Sequence, residues 1–325
     1  MGLSGSVGQE WWAVLGIDVI RASWKARRRL LMRRKLLSVT TIVLVVLGLG
    51  VIAMPSVLQA RAAAAQSSVV MRSEREVSGW SNQRTEGKLK EARAYNRALA
   101  AHGQYIFGET RDPFTDSTGS VSDKAYESEL DTGDGVMGSI VIPKIGVNLP
   151  IYHGTSESVL ELGAGHLYGS SLPVGGADTH TVITGHRGLV KALMFTRLDE
   201  LKPGDVFRIT VMGETLGYRI DRISVIEPSD VSKLRIVTGE DRVTLMTCTP
   251  YGVNTHRLLV SALRTDIPAQ TSTSMGNGLC PLPAPVLMMY ALALLGAPLI
   301  LQRPIEVSRH SSGVMIVHAH GRVSK

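Results

Sequence analysis

The feature that most constrains this 325-residue chain is an uncharged run near its N-terminus. Leu36 to Leu58 supplies 23 consecutive residues without a charge, most of them aliphatic. A helix of that length measures roughly 34 Å, which is enough to cross a bilayer. The alternative is a cleaved secretory signal, since ARAAAAQ follows with small residues, but the apolar core of a signal usually has only about 7–15 residues. The run therefore predicts a retained transmembrane anchor over residues 36–58.

The charges that flank the anchor predict its direction. No acidic residue lies between Asp18 and the anchor, whereas the basic ones there are Arg21, Lys25, Arg27, Arg28, Arg29, Arg33, Arg34 and Lys35. Because positive segments stay in the cytoplasm, residues 1–35 are predicted to be a basic cytoplasmic N-terminus and the following chain to lie outside. The net charge of +7 then points to anionic membrane lipid and not to nucleic acid.

A second uncharged stretch lies near the C-terminus. Residues 267–283 are mostly polar and predict a linker, and Ala284–Leu301 gives 18 mostly apolar residues. That length is at the short end for a membrane span, and a buried core helix is the alternative. Residues 302–325 carry Arg and Lys, which favours a second transmembrane helix followed by a basic cytoplasmic tail. Both termini are thus predicted to be cytoplasmic.

Between the two predicted spans lies a region large enough for one catalytic domain. Residues 59–107 are predicted to be a helical segment outside the membrane, with a helix over Arg84–Ala101 because Leu89, Ala92, Tyr95 and Leu99 recur at helical spacing. Residues 108–123, rich in turn formers and acids, predict a loop. Residues 124–266 hold short β-like runs separated by Gly, Pro, Asn and Asp, with one short helix expected over Lys191–Leu201. This pattern predicts an all-β barrel or sandwich.

Cys248 is the first candidate for chemistry. The chain has two cysteines, which cannot form a disulfide framework, and Cys280 lies at the predicted membrane boundary. An exported domain that keeps a thiol usually uses it, although a small buried hydrophobe is the common fate of cysteine. Cys248 ends the run RVTLMTC, where a thiol can be half-exposed and reactive. Strand alternation lets only one of His256 and Arg257 face it, and a nearby cation would favour its thiolate.

The other candidates are histidines next to glycine, His153 in YHG and His186 in GHRG. His180 and His186 share one face of a strand but lie six residues apart, which is roughly 20 Å in a straight strand. That separation disfavours a metal ion bound to both. The histidines of the C-terminal tail are predicted to be cytoplasmic and cannot reach an outside thiol.

Four segments together resemble the sortases, the membrane-anchored cysteine transpeptidases of Gram-positive surfaces. They are IPKIGVNLPIYHG, GAGHLYGSSLPVGG, HTVITGHRG and LMTCTPYGVNTHRLLV, between Gly138 and about Arg264. The resemblance implies an eight-stranded β-barrel with short helices. It also implies Cys248 as nucleophile, His186 as the acid that protonates the leaving amine, and Arg257 as the residue that holds substrate and stabilises the oxyanion. Thr247 would add support to the oxyanion, and His256 would face away.

The loop at residues 108–123 contains RDPFTD, which resembles the lid of the pilus-building class C sortases. By that likeness, Asp112 would pair with Arg257 and Phe114 would lie over Cys248. A carboxylate can neutralise the substrate-binding cation, and an aromatic ring can cover a thiol. The second predicted span also fits class C better than the single N-terminal anchor of housekeeping sortases.

The implied partners are pilin subunits that carry an LPxTG-like sorting signal and an acceptor lysine. Cleavage between Thr and Gly through a thioacyl intermediate would be followed by isopeptide formation, with no metal or organic cofactor. Three alternatives remain: a housekeeping sortase that uses a peptidoglycan-precursor amine, a hydrolytic thiol peptidase, and a non-enzymatic membrane-tethered β-domain.

Overall fold

The computed structural model of the chain describes residues 17–102, 104 and 123–266. The helices are α1 Ile17–Ser78, α2 Asn82–Ala101, α3 Lys124–Ser128 and α4 Glu157–Leu162. Short 3-10 helices cover Pro143–Ile145, Leu198–Glu200 and Ser232–Leu234. The strands are β1 Val136–Ile142, β2 Val147–His153, β3 Ala164–His166, β4 Thr179–Thr184, β5 Val206–Val211, β6 Glu214–Ile226, β7 Asp241–Thr249 and β8 His256–Arg264.

Helix α1 contains the predicted anchor and extends well beyond it at both ends. It is long and apolar enough to cross a membrane, and it is the one helix of the described ranges with that property. The hydroxyls of Thr40 and Thr41 donate to carbonyl oxygens one turn earlier, at 2.9 Å each, so that they need no water partner in lipid. The structure suggests membrane anchoring by this helix. The predicted second span lies outside the described residues.

Helix α2 confirms the predicted helix and shows why it starts where it does. The Ser81 hydroxyl accepts a hydrogen bond from the backbone N–H of Arg84 and so caps the first turn. Leu89 and Ala92 are buried on the face that meets the barrel. On the same face, the Asn96 amide donates to the carbonyl of Leu172 at 3.0 Å and accepts from its N–H at 2.7 Å. The helix is therefore fixed to the β3–β4 connection.

Within the described ranges, eight strands close into a barrel in the order β1-β2-β3-β4-β7-β8-β6-β5. The pairs β2–β3 and β4–β7 are parallel, and the remaining pairs are antiparallel. This confirms the predicted all-β class and the eight-stranded barrel implied by the resemblance. Closure leaves no unpaired strand edge.

The two faces of β4, β7 and β8 have different surroundings. Ile183, Leu245 and Val260 point into the main core of the barrel. Their sequence neighbours point outward, where a second apolar cluster contains Leu167, Val182, Ile226, Leu234, Met246 and Leu259. Because side chains alternate along a strand, Cys248 lies on the same face as Met246, and Arg257 lies on the same face as Leu259. The outer apolar cluster therefore packs next to the candidate site residues on the same face of the sheet.

The helix predicted over Lys191–Leu201 is wrong for most of that segment. Only Leu198–Glu200 form a short 3-10 helix. Met194 adopts a positive φ of 43°, which interrupts a right-handed helix. Met194 and Phe195 are both buried, so tertiary packing decides the conformation here.

Candidate active site

Cys248 and Arg257 lie directly opposite each other at the end of the β7–β8 pair. The antiparallel register pairs Cys248 with Arg257 and Thr249 with His256. Residues that are directly opposite in a sheet project to the same face, at about 4.5–5.5 Å between their Cβ atoms. The Cys248 thiol is half-buried, while Arg257 is 5% exposed. The register therefore brings the guanidinium, and not the His256 imidazole, to the thiol's side of the sheet.

His186 reaches the same level from the other neighbour of β7. The parallel register pairs Thr184 with Met246. The Gly185 N–H continues the ladder by donating to the Met246 carbonyl at 3.1 Å. Two residues beyond that pair, His186 is level with Cys248. The register thus places His186, just past the end of β4, in one row with Cys248 and Arg257 at the ends of three adjacent strands, which are about 4.8 Å apart.

A buried hydrogen bond joins the residue before Cys248 to the residue before His186. The Thr247 hydroxyl is fully buried and donates to the Gly185 carbonyl at 2.7 Å. Thr247 precedes Cys248, and Gly185 precedes His186, so this bond holds the two strand ends in register. The Thr247 side chain lies on the opposite face of β7 from Cys248. Its predicted support of the oxyanion stays a prediction.

Gly185 is required by close packing. A Cβ at this position would lie 2.7 Å from a ring carbon of Phe195. The Phe195 ring fills the barrel core, and its backbone N–H donates to the His186 carbonyl at 3.0 Å. The glycine in TGHRG thus lets an aromatic ring pack under the segment that carries His186, which fixes the backbone there.

Arg187, which sequence reasoning left out, ties the His186 segment to the end of β7. Its guanidinium donates to the Thr249 hydroxyl at 3.1 Å and to a carboxylate oxygen of Asp199 at 2.5 Å. It also lies 5.9 Å from the centre of the Tyr251 ring. The Arg187 side chain is only 7% exposed, whereas the Asp199 side chain is 52% exposed, so the guanidinium is held between the buried segment and a surface carboxylate. Its place next to His186 in the motif is the signal that could have drawn attention to it.

Glu157 is the second residue that sequence reasoning missed. One carboxylate oxygen lies 3.4 Å from Nε2 of His186. Glu157 opens helix α4, which the Ser156 hydroxyl caps by accepting from Val159 N–H. The carboxylate is 73% exposed, so solvent weakens its effect on the imidazole. No local pattern relates Glu157 to His186, because they are brought together only by the fold.

His180 lies on the same strand as the His186 segment but has structural partners. Its Nδ1 lies 2.8 Å from the Arg235 carbonyl, and its Nε2 lies 2.7 Å from the Thr244 hydroxyl. A carbonyl can only accept, so Nδ1 carries the proton, and Nε2 accepts from Thr244. Burial lowers the pKa of His180 to about 4, which keeps the ring neutral. Ser261 extends the chain of hydroxyls at 2.8 Å from Thr244.

The remaining candidates are placed elsewhere or not described. His153 ends β2, which β3 and β4 separate from β7. Its ring nitrogens face the Gly135 and Glu129 carbonyls at 3.2 and 2.7 Å. The predicted lid residues Asp112 and Phe114 lie outside the described residues.

Comparison with known proteins identifies a family for this arrangement. A family model described as "Sortase domain" matches residues 140–265. Sortase D of Bacillus subtilis (strain 168) is 31% identical over 171 residues, which cover 52% of this chain and 77% of that protein. Among solved structures, sortase C-1 of Actinomyces oris is 46% identical, with a TM-score of 0.51, covering 57% of this chain and 99% of the other. Sortase C of Streptococcus pneumoniae, described with respect to its pilin substrate specificity, is 39% identical with a TM-score of 0.55, covering 63% and 100%.

Proposed function

This chain belongs to the sortase family of transpeptidases, and from that premise we propose that it polymerises pilin subunits. The observation that carries the proposal is the row of His186, Cys248 and Arg257 across the ends of β4, β7 and β8. The chain is 39–46% identical to two sortases C over nearly the whole length of those proteins, which supports pilins as the substrate class. The three residues supply a nucleophile, a proton carrier and a stabiliser of negative charge.

The first half-reaction cleaves an LPxTG-like sorting signal. The Cys248 thiolate attacks the threonine carbonyl carbon, and Arg257 stabilises the negative charge that develops on the carbonyl oxygen. The C–N bond to glycine then breaks, while His186 gives its proton to the leaving amine. The product is a thioester between Cys248 and the pilin, and the C-terminal peptide departs.

The second half-reaction joins two subunits. A lysine amine of another pilin attacks the thioester carbonyl, and His186 accepts the proton that the amine loses. The C–S bond breaks, the isopeptide bond forms, and the Cys248 thiolate is regenerated. All bonds and protons balance without a cofactor.

The direct test is the product formed from purified pilin. Mass spectrometry of a reaction with the full chain is expected to show a lysine-linked pilin ladder. A pilin in which the lysines are replaced by arginine is the matched control and should yield no ladder. Free, hydrolysed pilin as the main product would favour a thiol peptidase, and transfer only to a peptidoglycan-precursor amine would favour a housekeeping sortase.

We also propose that the loop at residues 108–123 is a lid over the site. Asp112→Ala and Phe114→Ala are expected to speed alkylation of Cys248 and cleavage of an LPxTG peptide, because they remove the groups proposed to cover Arg257 and the thiol. Asp116→Ala, in the same loop, is the control and should leave both rates unchanged. Equal rates for all three variants would exclude this lid.

We propose further that α1 anchors the chain, with the barrel outside the cell. A second span over residues 284–301 would return the C-terminus to the cytoplasm. In intact cells, protease should degrade the barrel and spare epitope tags at both termini. Loss of the C-terminal tag alone would rule out the second span.

The Thr247–Gly185 bond gives a prediction that separates positioning from binding. Thr247→Val keeps the side chain's shape but leaves a buried carbonyl without its donor, which costs about 1–3 kcal/mol. We expect a lower Tm, and also a lower kcat with little change in KM, because the bond aligns Cys248 with His186. Thr210→Val is the control, since its hydroxyl contacts the Thr215 hydroxyl at 3.1 Å on the surface, away from the site. An unchanged kcat would show that the bond does not align the reacting groups.

A further inference from the structure

A group of exposed aliphatic side chains lies beside α1 at the active-site end of the barrel. Leu162 is 58% exposed, Val190 66% and Leu193 41%. Their two segments lie side by side: Lys191, next to Val190, pairs with Glu161, next to Leu162, at 3.3 Å, and the Gln66 amide contacts both the Leu162 carbonyl and the sulfur of Met194, next to Leu193. Hereafter the membrane-side patch denotes Leu162, Val190 and Leu193. Three exposed aliphatic side chains on neighbouring segments are a candidate interaction surface.

Hydrogen bonds connect this patch to α1 where the apolar run ends. The Gln59 amide donates to the Val190 carbonyl at 3.3 Å. Two turns later, the Gln66 amide lies 3.4 Å from the Leu162 carbonyl and 3.2 Å from the Met194 sulfur. Gln59 directly follows Leu58, the last residue of the uncharged run, and one residue adds only 1.5 Å along a helix.

The rest of α1 leads away from the patch along the barrel. Arg72 pairs with Asp134 at 3.0 Å, and Glu74 accepts from the Ser139 hydroxyl at 3.2 Å. The apolar residues 53–58 and the barrel belong to the same compact unit. The patch therefore lies beside the part of α1 at which the helix would leave the lipid. Leu162 lies two residues before β3, whose Gly165 pairs with Thr184 at the end of β4, so this is also the Cys248 end of the barrel.

We propose that the membrane-side patch docks on the lipid leaflet into which α1 inserts. Aliphatic side chains would enter the headgroup region, and Lys191, 57% exposed, would exchange its surface ion pair with Glu161 for contacts with lipid phosphates. Lipid is the expected partner because the patch adjoins the anchor: the Val190 carbonyl accepts a hydrogen bond from Gln59, the first residue after the apolar run. The inference rests on the proposed membrane anchoring. It orients the Cys248 end of the barrel towards the membrane.

Depth-dependent quenching in nanodiscs tests this docking. The full chain, in a Cys248→Ala and Cys280→Ala background, carries Val190→Cys labelled with an environment-sensitive fluorophore. The nanodiscs contain phosphatidylcholine and phosphatidylglycerol, with or without doxyl-labelled lipid. We expect a blue-shifted emission that doxyl lipid quenches. Leu162→Cys is a second labelled position in case the first variant is unstable.

Val237→Cys is the matched control, because Val237 is 46% exposed and precedes β7 at the opposite end of the barrel. Its label should be neither shifted nor quenched. Equal quenching at Val190 and Val237, or a blue shift without lipid quenching, would overturn the proposal, the latter by indicating a protein partner. So would a chain that does not enter nanodiscs. Cleavage of a soluble LPxTG peptide by the unlabelled wild-type chain is measured in parallel and reports on the proposed reaction alone.

Discussion

Cys248→Ala is expected to reduce cleavage of an LPxTG peptide by at least about 10⁴-fold, because it removes the sulfur proposed to form the thioacyl intermediate. His186→Ala should cost about 10²–10⁴-fold, the usual contribution of a positioned acid or base. Both losses should appear in kcat. The measurement is steady-state cleavage by the full chain, with trapping of the thioester by mass spectrometry. No thioester is expected in the Cys248 variant.

The double variant sharpens this prediction. Residues that act as one unit give losses that do not add, so Cys248→Ala with His186→Ala should be no slower than Cys248→Ala alone. Additive losses would mean that His186 acts independently of the thiol. Cys280→Ala, the other cysteine of the chain, is the control and should keep wild-type activity. If Cys248→Ala retained a tenth of the activity, another nucleophile would have to be sought.

The strand pattern of the barrel could be predicted because its signals are local. Alternation and turn residues mark β7 and β8, and alternation alone separates Arg257 from His256. β3 gives no such signal, because its three residues are too few for a period to show. The Lys191–Leu201 helix was predicted from composition, but burial of Met194 and Phe195 in the core overrides it.

The meeting of His186 with Cys248 could not be derived from the pattern alone. It depends on the parallel register of β4 against β7, which are separated by some sixty residues, and on the Thr247–Gly185 bond. Neither the register nor the hydrogen bond has a local sequence signal, so only the family resemblance could place His186 beside Cys248. For the same reason, Glu157 was not predicted beside His186. Long-range register therefore limits what this sequence predicts about the site.

Substitution of Arg257 is expected to have the second large effect on activity, and substitution of its neighbour His256 is the matched control. Arg257→Ala is expected to lower kcat by about 10²–10³-fold, the cost of removing one oxyanion donor. His256→Ala should change activity by less than about twofold, because this exposed side chain lies on the other face and contacts the Thr255 hydroxyl at 2.9 Å. The two adjacent substitutions differ only in which face of β8 they affect.

A structural role for Arg257 would give a different outcome. Its Nη1 donates to the carbonyls of Asn254 and His256 at 3.0 Å each, so the guanidinium also braces the β7–β8 turn. If bracing were its only role, Arg257→Ala would lower Tm and raise KM while kcat stayed near wild type. Arg257→Lys keeps the charge but loses the planar fork, and so it should recover part of kcat. Because a cation near the thiol favours its thiolate, Arg257→Ala should also slow alkylation of Cys248 at neutral pH, whereas His256→Ala should not.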